Sequence, residues 1–243
     1  MINLRRPEQT PPSLRTAEIG TYQEQLARHQ ADPKQNPAPA TNPPYRGRDL
    51  LAIFTDAFHA KCYLTEEWFP TAWSMDVDHF IPVNEAPEKK YDWHNLFPAS
   101  HDANMARPRK TPEGGYLNPC TDDVETEILC TAGLRGMSPR FKARNKNHLK
   151  AVNTAALLDR LHQGSDPDSI EKTKRLRHAI QEKYETVLNT ILAWQVFLKQ
   201  GNEPGALEKE NELRMLLSRK KAFTMLLRSM PAVRQHVPKD FLD

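Results

Sequence analysis

Four polar residues in the middle of the chain have the types and the spacing that hydrolysis of a phosphodiester requires. Asp78 and His79 are adjacent, Asn95 follows sixteen residues later, and Asn104 nine residues after that. An imidazole can accept a proton from water near neutral pH, which suits His79 for the role of general base. Carboxylate and carboxamide oxygens are hard ligands of the kind that Mg²⁺ prefers, so Asp78 and Asn104 suit a metal site.

Short elements must position these side chains. Residues 75–81 are strand-like and end at Pro82, and a second strand is predicted to begin near Trp93. Asn95 then lies where its side-chain amide can bridge backbone groups of the intervening loop. Residues 100–107 are predicted to start a helix that places the last asparagine over the two strands.

The order Asp-His, Asn-Leu and a final Asn resembles the motif of HNH (ββα-metal) endonucleases. The nine-residue separation of the two asparagines is similar to that in the HNH domain of RNA-guided CRISPR nucleases. The resemblance implies that His79 is the general base, that Asp78 and Asn104 bind Mg²⁺ or Mn²⁺, and that Asn95 completes the catalytic set in a structural role. It also implies products with 5′-phosphate and 3′-hydroxyl ends.

Three further segments resemble the HNH proteins of bacterial anti-phage operons, the Septu-type PtuB subunits and their retron-associated relatives. They are residues 1–7, 117–119 and 152–160. In that family the nuclease partners with an ABC-type ATPase (PtuA-like), and in retrons also with a reverse transcriptase and its RNA–DNA product. The resemblance therefore implies a toxin-like effector subunit of an antiviral complex, acting on DNA or on tRNA or another RNA.

The chain departs from many HNH domains at the positions of a stapling Zn²⁺ site, normally two CxxC pairs. Here these positions are Cys62 and Thr65, then Ser100 and Ala103. One thiol of four cannot build a tetrahedral site, so no structural zinc is expected. Apolar packing must then hold the small domain, and its predicted aromatic residues are Phe54, Phe58, Trp68, Phe69, Trp73, Phe80, Trp93 and Phe97.

Other polar residues near the motif leave two interpretations open. Arg107, Arg109 and Lys110 follow the predicted helix and could hold a phosphate backbone, or they could belong to a solvated loop. His101 precedes Asn104 by three residues on one helix face. It is either a further ligand or phosphate contact, or an ordinary surface histidine.

Composition limits the class of protein. The 243 residues are 38% hydrophobic and 27% charged with a net charge of +3, and the mean hydropathy is −0.72. A mild positive charge suits a phosphate-bearing partner without requiring one. Three cysteines without a CxxC pair indicate reduced thiols. No membrane span or signal peptide is evident, so a cytoplasmic location and no membrane partner are expected.

The predicted fold class is α+β and mainly helical, a small ββα-metal (HNH) core with a Pro-rich N-terminal arm and a C-terminal helical module. Eight of the 20 prolines fall in residues 1–46. Apart from a helix over 16–30, this arm is predicted either to be extended and wrapped over a surface or to be a flexible leader. Residues 47–144 form the predicted nuclease domain, with a helix over 48–62 and a strand over 127–131. Residues 145–243 form the helical module, with predicted helices over 150–162, 166–199 and 206–229.

Two rival hypotheses share these observations. One is a free-standing HNH restriction or mobile-element nuclease that acts without partners. The other is a catalytically decayed HNH scaffold that only binds an ATPase or nucleic acid. The complete set of Asp78, His79, Asn95 and Asn104 favours an enzyme.

Overall fold

The computed structural model describes residues 1–133, 137–164 and 167–242 and divides the chain into two compact units. Unit 1 consists of Met1–Asn3, Leu64–Trp68 and Glu113–Asp243, and unit 2 of Leu4–Tyr63 and Phe69–Pro112. This division differs from the three predicted segments, because residues 4–46 belong to the same unit as residues 69–112. The coarse class is confirmed, since the described residues are mainly helical with two small antiparallel sheets.

Unit 2 carries the residues of the motif on short elements. These are α1 (Ala17–Ala31), α2 (Arg48–Asp56), β1 (Asp76–His79), β2 (Leu96–Ala99) and α3 (His101–Ala106). Helix α1 confirms the predicted helix in the arm, and the side chain of Thr16 caps it by accepting from the Ile19 N–H. Helix α2 is shorter than predicted, because His59 and Ala60 take φ values of 58° and 51° and end the helical path.

The two strands of unit 2 pair antiparallel, with Asp78 opposite Phe97 and His79 opposite Leu96. A 3₁₀ turn over Trp93–Asn95 stands where the second strand was predicted to begin. Helix α3 starts as predicted, because the Ser100 hydroxyl caps it by accepting from the Ala103 N–H.

An aromatic core supports this sheet. Phe54, Phe58, Trp93 and Phe97 are all buried, and their ring centroids lie 5.2 to 6.3 Å apart where they pair. The guanidinium of Arg6 lies 4.2 Å from the Trp93 ring centroid and donates to the Trp93 and Leu96 carbonyls. A cation over aromatic faces adds attraction beyond the buried area, so the start of unit 2 is fastened to the turn before β2.

Two of the eight predicted packing residues do not belong to this core. Trp68 is 55% exposed and Trp73 is 65% exposed, so the prediction was wrong for both. Trp73 lies on a 3₁₀ turn, Ala72–Ser74, that leads into β1 at the surface. Phe69 is buried as predicted, and Phe80 is half-buried.

Unit 1 combines a two-stranded sheet with most of the helices. Its elements are α4 (Val124–Glu127), β3 (Ile128–Thr131), β4 (Arg140–Ala143), α5 (Leu149–Gln163), α6 (Pro167–Lys199), α7 (Glu203–Leu216), α8 (Thr224–Arg228) and α9 (Pro231–His236). The predicted strand, the helix ending at Gly164 and the long helix to Lys199 are confirmed. The predicted N-cap of that long helix, Asp166, lies outside the described residues.

The last predicted helix, over 206–229, is broken into two. Helix α7 ends at Leu216, and Phe223 then takes a left-handed φ of 59° before α8 begins. A third helix, α9, starts at Pro231, where the ring fits the first turn. Among the described residues, no helix has both the length and the hydropathy that crossing a bilayer requires.

A buried ion pair connects residues 1–3 with residues 64–68, and both segments belong to unit 1. The ammonium group of Met1 lies 2.8 Å from the Glu66 carboxylate, and both side chains are almost fully buried. The second oxygen of Glu66 accepts from the Met225 N–H at 3.2 Å. The pairing compensates the desolvation of both charges, so it fixes these short segments to the helical part of the unit.

His162 on α5 makes the stability of unit 1 sensitive to acid. Its Nδ1–H donates to the Leu158 carbonyl, its Nε2 is buried without a partner among the described residues, and burial lowers its pKa to about 4. The unfolded chain takes up this proton below its ordinary pKa of about 6.5, whereas the folded chain does so only near 4. We therefore expect the free energy of unfolding to fall by up to about 3 kcal/mol between pH 7 and pH 4.

Urea unfolding followed by circular dichroism at pH 7 and pH 5 measures this loss. His162→Leu should remove most of the pH dependence, while His178→Leu, at an exposed position of α6, should keep it. An equal pH dependence in wild type and His162→Leu would show that another group causes the acid loss.

Candidate active site

The buried guanidinium of Arg107 holds the carboxylate of Asp78. Asp78 sits on β1, and its Oδ2 accepts from the Arg107 guanidinium at 2.5 Å and from the Tyr63 hydroxyl at 2.6 Å. Burial raises the pKa of Tyr63 well above its usual range, so the hydroxyl keeps the proton that it donates. Arg107 also donates to the carbonyls of His79 and Phe80. Oδ1 of Asp78 has no hydrogen-bond partner among the described residues.

His79 is fixed in one tautomer by a backbone carbonyl. Its Nε2 lies 2.9 Å from the carbonyl oxygen of Lys90, which can only accept, so Nε2 carries the proton. Nδ1 therefore keeps its lone pair, and it has no hydrogen-bond partner in the described part of the chain. Burial lowers the pKa of His79, which favours the neutral ring. The ring of Tyr45 packs against this imidazole, with centroids 4.9 Å apart at 78°.

Asn95 ties the loop between the strands together from inside. It is 3% exposed, and its Oδ1 accepts from the Ile81 N–H at 2.7 Å. Its Nδ2 donates to the carbonyls of Ile81 and Lys89 at 3.0 and 3.2 Å. The Asn95 side chain thus bridges the residues after β1 to the turn at Lys89. The next carbonyl of that turn, at Lys90, is the one that holds His79. This is the bridging position that the sequence predicts for the amide.

Asn104 and His101 on α3 share one acceptor. Asp76 Oδ2 lies 3.2 Å from Asn104 Nδ2 and 3.0 Å from His101 Nδ1. A carboxylate can only accept, so the NH₂ group of Asn104 faces Asp76 and its carbonyl oxygen remains available to a ligand. His101 is exposed and pairs with Asp76 at the surface. Asp76 is not among the predicted site residues, although its position two residues before Asp78 places both on one face of β1.

These groups open into one cavity of about 440 Å³. It is lined by Tyr45, Val77, Asp78, His79, Pro82, Val83, Asn84, Asn104, Arg107, Pro108 and Arg109. The structure therefore brings together three of the four motif residues, while the fourth, Asn95, lies behind them. His101 and Lys110 do not line the cavity, and Tyr45 is a lining residue that the sequence analysis did not single out.

The three basic residues after α3 have different environments. Arg107 is 8% exposed and is engaged by Asp78, Tyr63 and two carbonyls, so it belongs to the interior and not to the predicted solvent-facing cluster. Arg109 and Lys110 are exposed. Contact with a phosphate backbone stays a prediction for these residues, and Arg109 is the exposed one that lines the cavity.

The donor set fits a divalent cation that prefers oxygen. Asp78 and Asn104 both line the cavity, so the Asp78 Oδ1 and the Asn104 carbonyl oxygen would be the two hard ligands, and water and substrate would complete the shell. No group of three or more His, Cys, Asp or Glu side chains that could hold a metal occurs among the described residues. Because Arg107 offsets part of the Asp78 charge, we expect the cation to bind weakly until a phosphate joins it.

Cys62 and Ser100, two of the positions compared with zinc ligands in the sequence, lie in contact. The Ser100 hydroxyl lies 3.8 Å from Cys62 Sγ, and both side chains are buried. Next to them, the Tyr63 N–H donates to the Pro98 carbonyl at 2.9 Å. The segment before β1 is thus joined to the end of β2 by backbone and side-chain contacts.

Comparison of the chain with protein-family models, with curated proteins and with solved structures finds no match. Assignment of a function therefore depends on the geometry of the site and on the motif.

Asn95→Asp should destabilise unit 2 strongly, although it replaces only the side-chain NH₂ group by an oxygen atom. The new carboxylate would face the carbonyls of Ile81 and Lys89, which also only accept, and the two donated hydrogen bonds would be lost. We expect the free energy of unfolding to fall by about 3 kcal/mol. Asn84→Asp is the matched control, because Asn84 is exposed and makes one long contact to the Arg109 carbonyl. Chemical denaturation of both variants tests this, and equal midpoints would refute the bridging role.

Proposed function

We propose that unit 2 is a metal-dependent endonuclease of the HNH type, which hydrolyses phosphodiester bonds of DNA or RNA. The observation that carries the proposal is the position of His79. A neutral imidazole whose Nδ1 has no hydrogen-bond partner among the described residues lines one cavity together with the Asp78 carboxylate and the Asn104 carboxamide. A general base beside a hard-ligand site is the arrangement that hydrolysis by activated water needs.

Each residue of the site has a separate task in this reaction. His79 accepts a proton from the attacking water through Nδ1, while the Lys90 carbonyl stabilises the protonated ring through Nε2–H. Asp78 and Asn104 would hold Mg²⁺ or Mn²⁺, which when bound supplies positive charge for the leaving 3′-oxygen. Arg109, with Lys110, would hold the phosphate backbone of the strand. The expected products are 5′-phosphate and 3′-hydroxyl ends.

The order of elements supports the HNH assignment of this core. An antiparallel pair, β1 and β2, is followed directly by α3, which is the ββα order that the motif implies. The Asp-His pair lies at the end of β1, Asn95 precedes β2, and Asn104 lies on the helix. The contact of Cys62 with Ser100 joins the two places where related domains carry zinc ligands.

The cellular role is proposed from the sequence resemblance. It makes this chain the effector subunit of a Septu-type or retron-type anti-phage complex, with an ABC-type ATPase and, in the retron form, a reverse transcriptase with its RNA–DNA product. A free-standing nuclease and a scaffold without activity are the competing functions. The ion pair of Asp78 with Arg107 would be expected in an inactive scaffold as well, so it does not distinguish the scaffold from the nuclease.

Replacing His79 tests the proposal most directly. His79→Ala should lower the cleavage rate by about 10²- to 10⁴-fold, because His79 is the one histidine among the described residues that line the cavity. The assay uses purified protein, and protein co-expressed with its neighbouring genes, on single- and double-stranded DNA and RNA in Mg²⁺ or Mn²⁺. EDTA should abolish cleavage, and His94→Ala, at an exposed histidine of the same unit, should cut like wild type.

Three results would separate the hypotheses. Cleavage by His79→Ala at the wild-type rate would remove the active-site assignment. Absence of cleavage in both preparations would favour the scaffold. Full activity of the purified chain alone would favour the free-standing nuclease over a complex subunit.

Asn104→Ala should raise the Mg²⁺ concentration that gives half-maximal cleavage by at least about tenfold. The variant removes one of two protein ligands, and even outer-shell changes at metal sites cost 10- to 100-fold in affinity. Met105→Ala is the control on the same helix, because its side chain is 69% exposed. An unchanged Mg²⁺ requirement in Asn104→Ala would show that Asn104 is not a ligand.

A further inference from the structure

Trp73 is an exposed aromatic residue with a cation beside it. Its side chain is 65% exposed on the 3₁₀ turn before β1. The guanidinium carbon of Arg46 lies 5.7 Å from the ring centroid, and Arg46 Nη2 donates to the Trp73 carbonyl at 2.6 Å. Arg46 is also exposed, and none of the described carboxylates lies within ion-pair distance of it. An accessible ring and an uncompensated positive charge are thus held together.

This pair adjoins the candidate active site through Tyr45. Tyr45 precedes Arg46 in the chain, lines the cavity and packs its ring against His79. The segment that carries it is anchored, because the Tyr91 hydroxyl donates to the Pro43 carbonyl at 2.7 Å. We call Tyr45, Arg46 and Trp73 the aromatic path, since Arg46 follows the cavity-lining Tyr45 in the chain and contacts the exposed Trp73.

The chemistry of this path selects one kind of ligand. Nucleobases in an unpaired strand expose their faces and stack on aromatic side chains, whereas bases in a duplex are stacked on each other. An arginine beside such a ring adds a contact to phosphate or to the base face. An acidic protein surface could also pair with the arginine, but the position of the pair next to the cavity that holds His79 favours the nucleic-acid substrate as its ligand.

We propose that the aromatic path binds an unpaired segment of the nucleic-acid substrate, with a base stacked on Trp73 and a phosphate on Arg46. This inference rests on the proposed nuclease function, and it narrows the substrate class to strands that are single-stranded next to the cleaved bond. Tyr45 would then form the wall of the cavity between the scissile phosphate and the stacked base.

Binding without cleavage tests the path separately from the chemistry. The full-length chain with His79→Ala is titrated with fluorescein-labelled single-stranded DNA, single-stranded RNA and duplex DNA, and anisotropy gives Kd. Adding Trp73→Ala should raise Kd for the single strands by about 5- to 150-fold, the loss expected for one stacked base. Trp73→Phe should restore most of the affinity, because a smaller ring still stacks.

Two further variants sharpen the test. Trp68→Ala removes the other exposed tryptophan, which lies in unit 1, and should leave Kd unchanged. Arg46→Gln should reduce the slope of log Kd against log salt by about 0.7, the value for one phosphate contact on a single strand. Circular dichroism and urea midpoints confirm that each variant is folded.

The outcomes distinguish this inference from the nuclease proposal. Wild-type affinity of Trp73→Ala for single strands, or an equal loss for single strands and duplex, would overturn the path even if the chain cuts nucleic acid. Absence of binding to any of the three probes would overturn it as well. Conversely, a selective loss in Trp73→Ala supports the path even if His79→Ala shows that the catalytic assignment is wrong.

Discussion

The candidate site depends on the burial of one guanidinium. Taking Arg107 out of water costs several kcal/mol, and the cost is offset only when its donors find acceptors in good geometry. Asp78, the Tyr63 hydroxyl and the carbonyls of His79 and Phe80 supply them. The end of α3, the end of β1 and the segment before β1 are therefore drawn to one point. These bonds use one oxygen of Asp78, a residue that lines the cavity, and leave the second oxygen without a hydrogen-bond partner among the described residues.

Two neighbouring backbone carbonyls position the other polar side chains of the site. Asn95 holds the carbonyl of Lys89, and the neighbouring carbonyl of Lys90 holds His79. Burial of the ring and the fixed proton on Nε2 favour a neutral base. Sites whose first contacts are locked by a second layer need little rearrangement when substrate arrives, and this core has that character. The contacts that hold this core in place are polar bonds and aromatic packing.

Local patterns in the sequence predict the elements of the site but not its long-range contacts. Pro82 marks the end of β1, and Ser100 marks the start of α3, because strand stops and helix caps act within a few residues. Arg107 was grouped with its basic neighbours, since composition cannot reveal a partner 29 positions earlier in the chain. Tyr45 was missed for the same reason, because only folding brings the proline-rich segment to His79. Trp73 was assigned to the core because hydrophobicity predicts burial on average and not at each position.

The interleaving of the two units has a consequence for synthesis on the ribosome. Every segment of unit 2 lies within the first 112 residues. In unit 1, by contrast, the Met1 ammonium and the Glu66 carboxylate both form hydrogen bonds with Met225. At ordinary elongation rates, roughly 5 to 25 s separate the emergence of these two parts. The candidate nuclease can therefore assemble while its helical unit is still being made. Residues 64–68, which belong to unit 1, then stay unburied until the segment around Met225 has been made.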